Sequence, residues 1–189
     1  MDGLIIRLLD DRTGNPGRWF WRAFGSIRPD LDRMIWCFTG QPWMGAPDDF
    51  DLNNSFLKCD GADRASVSLW RPGVLGRHAH QFGEEHIELW AIEPTRDDPA
   101  GLAAGYDRCW PDDEKQGDFI RQHARVWLSY FDSTCWEIYA RKPGLLDRVR
   151  RDLEGKAGPM VHPSHADRRG QAFGAAGLSA VWQAMNGRF

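Results

Sequence analysis

The strongest constraint on this chain is a pair of aromatic and β-branched runs separated by three small polar residues. Arg125 to Phe131 and Cys135 to Arg141 flank Asp132-Ser133-Thr134. So short a connection joins neighbouring antiparallel strands, and the pattern predicts a β-hairpin. Lys142-Pro143 then opens a helix, where a first-turn proline sacrifices no hydrogen bond. Leu145, Leu146, Val149 and Leu153 form one apolar stripe on it. Asp147, Arg148, Arg150, Arg151, Asp152 and Glu154 take the remaining surface, and Gly155 is its stop.

Period-two patterning also occurs upstream. Residues 56–59 and 65–70 read as strands around the turn Asp60-Gly61-Ala62-Asp63, and His86 to Ile92 reads as a third. In that third run Ile87, Leu89 and Ala91 share one face, while His86, Glu88, Trp90 and Ile92 share the other. Leu4 to Leu9 suits either a strand or a short buried helix, because its length does not decide. Thr13 to Gly17 is a turn sequence. Pro29-Asp30 suits a helix start, and Leu31, Met34, Ile35 and Phe38 at helical spacing predict a helix ended by Gly40-Gln41-Pro42. Residues 40–55 read as a surface loop. Asp98-Pro99 opens a further helix carrying Leu102, Tyr106 and Cys109 on one stripe, stopped at Trp110-Pro111. Residues 156–177 are expected to be irregular, ahead of a short terminal helix over 178–185.

Strands gathered in the centre, with helices between and after them, predict an α+β fold. Its sheet is mainly antiparallel, with about five to six strands and flanking helices. The 189 residues fit a single domain. A GxGxxG turn between strand and helix is absent, which disfavours a dinucleotide-binding fold. No apolar run approaches the ~18 residues of a membrane span, and MDGLIIRLLDD lacks the features of a signal peptide. A cytoplasmic location is therefore expected. The four cysteines form no CxxC pair, so they read as free, buried small hydrophobes in a reducing compartment. Ten tryptophans supply core area and, at some positions, anchors for a partner.

Charge is unevenly placed along the chain. Residues 84–118 hold 11 acidic and 3 basic side chains, whereas residues 119–189 hold 11 basic and 6 acidic. An acidic stretch interleaved with aromatic residues suits capture of a cationic protein. The partner-binding set read from it is Glu84, Glu85, Glu88, Trp90, Tyr106, Trp110, Asp112, Asp113 and Glu114. The expected function is a non-enzymatic protein-binding module, in character an immunity-type inhibitor that neutralises a basic bacterial toxin. Nucleic acid is not expected: Arg148, Arg150, Arg151, Arg168 and Arg169 could touch phosphates, but they carry no recognisable motif, and the pI is about 6.1. Neither a membrane nor a cofactor is expected.

A second reading rests on RPGVLGRHAHQFGEEHIELW. If this segment were a strand, His78 and His80 would point to one face, and Glu84 with His86 could complete a site for a divalent transition metal. The stretch resembles the first metal motif of cupins, in which a PG turn precedes HxH and a following Glu. The resemblance implies a metal-dependent enzyme or small-molecule sensor using His78, His80 and Glu84. The spacing from glycine to histidine is one residue short, and the glycine expected after the Glu is missing. His123, His162 or His165 would have to supply the ligand that the family takes from a second motif. GxSxG and HExxH are absent as well, which leans the reading away from an enzyme.

Overall fold

Val126–Phe131 (β5) and Cys135–Ala140 (β6) pair antiparallel with Leu128 opposite Ile138, in the hairpin that their patterning predicts. The computed structural model describes residues 1–8, 16–39, 67–83, 87–109, 112–131, 135–154, 156 and 159–165. Around the hairpin lie Asp2–Leu8 (β1), Ile35–Thr39 (β2), Val67–Trp70 (β3), Ile87–Ile92 (β4) and Pro159–His165 (β7). Among the described residues the sheet has seven strands in the order β3-β2-β4-β5-β6-β1-β7, and every neighbouring pair is antiparallel. The class is α+β, one strand richer than expected.

The helices are Pro16–Phe24 (α1), Arg28–Leu31 (α2), Val74–His78 (α3), Pro99–Asp107 (α4), Asp113–His123 (α5) and Pro143–Glu154 (α6). Side chains alternate across a strand, so each sheet face needs its own cover. On the first face Leu4, Ile6, Trp36, Phe38, Leu89, Leu128, Trp136 and Ile138 pack against α1, α2, α3 and α6. Helix α6 contributes the stripe read from its sequence: Leu145, Leu146, Val149 and Leu153 are all buried. Phe20 of α1 meets Phe24, Phe82 and Trp136 edge-on at 5.1, 5.5 and 5.0 Å. Its full burial is worth on the order of 2 kcal/mol.

On the second face Ile35, Cys37, Leu69, Trp90, Ile92, Trp127 and Tyr139 pack against α4 and α5. Strand β4 divides its residues between the faces as its alternation predicts, with Ile87, Leu89 and Ala91 on the first and Trp90 and Ile92 on the second.

Four expectations change. The helix read through Leu31, Met34, Ile35 and Phe38 is the single turn α2 followed by strand β2. That strand is buried on both faces, so its apolar run is continuous and lacks alternation. Pro16 and Gly17 belong to α1 rather than to a turn. The backbone there passes so close to the next segment that a Cβ on Gly17 would lie 2.5 Å from the His80 carbonyl oxygen, and the Gly17 N–H donates to Phe82 O at 3.1 Å. Beyond Trp110-Pro111, where the sequence predicts no element, Asp113–His123 form helix α5. Within the segment read as irregular, residues 159–165 form β7, which pairs only with β1 among the described residues. Two prolines fit such an edge strand, where missing N–H groups disrupt no ladder.

Between β3 and α3, Arg71-Pro72-Gly73 turns the chain, with Gly73 in the left-handed region at φ +83°. The strand at 56–59 with its turn, the loop at 40–55 and the helix at 178–185 lie outside the described residues. Among the described residues no helix is long and apolar enough to cross a membrane.

Candidate functional site

The acidic stretch folds as β4, a connection and the helix pair α4–α5 laid over the second sheet face. Trp90 stands beneath the helices with no exposed surface. Its ring centroid lies 5.8 Å from Tyr106 of α4 and 6.0 Å from Phe119 of α5, and Tyr106 and Phe119 are 6.1 Å apart. The helices approach closely beside them: a Cβ on Gly105 would fall 2.8 Å from the Phe119 ring. Trp90 and Tyr106, read from sequence as partner contacts, thus support the helices from below.

Asp112 precedes α5 as its N-cap. Its Oδ1 accepts the Lys115 backbone N–H at 3.0 Å, and its Oδ2 lies 3.0 Å from Lys115 Nζ. The backbone hydrogen bond, followed by the ammonium contact, holds the Asp112 carboxyl below its ordinary range, while the Asp112 side chain raises the Lys115 ammonium. Glu114 is exposed on the first turn, and Asp113 opens the helix. Much of the remaining acidity is matched locally. Asp97 pairs with Arg125 at 3.1 Å, Glu93 with Arg96 at 3.5 Å, and Asp118 with Arg121. Glu84, Glu85, His86 and Trp110 lie outside the described residues.

Glu88 is placed differently. Its strand neighbours continue in register through Ser129 of β5, Glu137 of β6, Ile5 of β1 and His162 of β7, all on the second face. Among the described residues the second-face core reaches Trp127 and Tyr139 in the adjoining row and does not include this one. Trp127 Nε1 donates to Glu88 Oε1 at 3.0 Å, and the Tyr139 hydroxyl donates to Glu137 Oε2 at 3.1 Å. The Trp127 and Tyr139 rings are 5.5 Å apart.

Two half-buried carboxylates therefore flank the fully buried Ser129, each steadied by an aromatic donor. Strand spacing sets their backbones about 10 Å apart. No family model matches the chain, and neither a curated protein nor a solved structure matches it. An ionised carboxylate accepts several hydrogen bonds at once, so donation from an indole or a phenol is compatible with a cationic group at the same carboxylate, and the rings beside them offer π faces. Glu137 and Ser129 were missed from sequence, although their polar side chains at alternate positions of β5 and β6 were the available signal.

The histidines do not share a strand face. His78 ends α3 and is 3 % exposed, whereas His80 sits in the following 3₁₀ turn, Ala79–Gln81, and is exposed. Helical geometry rotates positions two apart to different sides, which corrects the strand reading. Among the described residues the strands form one sheet, which differs from the two-sheet jelly roll that a cupin resemblance implies. Among the described residues no three His, Cys, Asp or Glu side chains gather as a metal site. Of the proposed ligand set, Glu84 and His86 lie outside them.

Proposed function

We propose that this chain is a non-enzymatic protein-binding module that captures a basic segment of a partner protein. The observation that carries the reading is the carboxylate row on the second sheet face, with Glu88 and Glu137 held by Trp127 and Tyr139. Preorganised carboxylates lose little side-chain freedom when a guanidinium or ammonium arrives, so more of the interaction energy is left for binding. The exposed Glu114 and the acidic α4–α5 layer would steer a cationic partner toward this side of the molecule. An inhibitor that neutralises a basic toxin is one form such a module would take.

The test is co-purification from the native host at low salt, comparing the parent chain with a Glu88→Gln, Glu137→Gln double variant. A basic protein retained by the parent and lost from the double variant is the expected result. If the same proteins are retained equally by both chains, the carboxylate row plays no part and the reading falls.

A further inference from the structure

The two helical layers differ in sign. Residues 16–33, 71–82 and 142–156, which supply the first-face helices, hold eleven Lys and Arg against five Asp and Glu. Residues 93–123, which form the α4–α5 layer, hold eight Asp and Glu against four Lys and Arg. The sheet keeps these populations apart, so the near-neutral pI averages two surfaces that an external ligand meets separately. Net charge therefore does not decide what either surface binds.

The first-face helices are tied together by their basic residues. Arg28 Nη2 donates to the Gly76 carbonyl at 3.1 Å, joining α2 to α3, and Arg148 pairs with Asp30, joining α6 to α2. Lys156 Nζ donates to the Arg22 carbonyl of α1 at 3.4 Å. Two guanidinium groups lie against indoles, Arg22 over Trp19 at 4.2 Å and Arg28 over Trp21 at 4.6 Å. Arg33 and Arg77 are exposed and have no carboxylate partner among the described residues.

We infer that this layer is a second docking surface and that its ligand is a single-stranded nucleic acid. Phosphates would meet the exposed guanidinium groups of Arg33 and Arg77. Bases would stack on the planes that Trp19 and Trp21 support. An acidic polypeptide could satisfy the charges but has no bases for those planes, which is why the indole-backed arginines favour nucleic acid. The surface lies across the sheet from the carboxylate row and does not depend on it.

The test uses the whole chain alone, with fluorescein-labelled oligouridylate and fluorescein-labelled polyglutamate read by anisotropy across a salt series. Oligouridylate should bind more tightly than polyglutamate at low salt and weaken linearly in log–log terms as salt rises. Each phosphate contact on a single strand contributes about 0.7 to that slope. An Arg33→Gln, Arg77→Gln double variant should therefore flatten it by about 1.4, and both exposed changes leave the core intact. Arg28→Lys keeps the charge without the plane, and should weaken oligouridylate binding while leaving polyglutamate unchanged. The inference is overturned by absence of oligouridylate binding at low salt, by equal affinity for the two polymers, or by an unchanged slope in the double variant. None of these results depends on a basic partner, so failure here leaves the carboxylate reading standing.

Discussion

Trp127 on β5 donates its indole N–H to Glu88 on β4 at 3.0 Å, although 39 residues separate them in the chain. The bond fixes the orientation of the Glu88 carboxylate on the second sheet face. Trp127→Phe keeps most of the packing and deletes the donor. It should lower stability by about 1 kcal/mol, the usual net worth of one hydrogen bond. It should also reduce retention of a basic partner. Urea denaturation and the low-salt co-purification check the two effects separately.

Trp90 and Glu114 belong to the same acidic stretch and should behave in opposite ways. Trp90→Ala opens a large void beneath α4 and α5 and should cost about 3–5 kcal/mol. Glu114→Lys changes an exposed position and should stay within about 0.5 kcal/mol of the parent. Denaturant midpoints distinguish them. Charge reversal at Glu114 should act only on the rate and salt dependence of partner association.

The Asp112 cap gives stability a defined pH dependence. Its folded pKa is depressed, so its contribution is present above the unfolded value of about 3.9 and is lost as pH falls through the folded value. Lys115 has the reverse shift. Its contribution is complete below about 10.4 and disappears as pH rises through the folded value. Asp112→Ala should lower the melting temperature at neutral pH, and the gap to the parent should close in strong acid. A gap of constant size down to the lowest pH that permits folding would remove the cap's role.

His78 and His80 should part company on substitution. His78→Ala removes a buried ring and should destabilise the fold, by an amount comparable to other truncations in the core. His80→Ala should leave the denaturation midpoint unchanged. Elemental analysis of the parent and both variants should give the same result, without a stoichiometric transition metal. A metal bound by the parent and lost with His78 would reinstate the metal-dependent reading.

Legibility varied along the chain for physical reasons. The β5–β6 hairpin and α6 were readable because their partners are adjacent in sequence and each buries one face. Strand β2 was misread because its residues enter both cores, so a continuous apolar run matched helical spacing as well as it matched a strand. Helix α5 is mostly polar. Gln116, Ile120 and the half-buried Phe119 turn inward from it, too few to mark a stripe. Of the carboxylate row, Glu88 was singled out but its neighbours were not, since sheet pairing alone brings Ser129 and Glu137 beside it.

By itself the sequence determined the antiparallel character of the sheet, the division of β4 into two faces and the uneven distribution of charge. Those properties follow from local periodicity and composition. Tertiary structure decided that Trp90 and Tyr106 lie inside, that much of the helical acidity is paired, and that Glu88 shares a row with Glu137. It also placed the basic and acidic helices on opposite sides of one sheet. Burial and cross-strand register are relations between distant segments, and they exist only once the strands have taken their order.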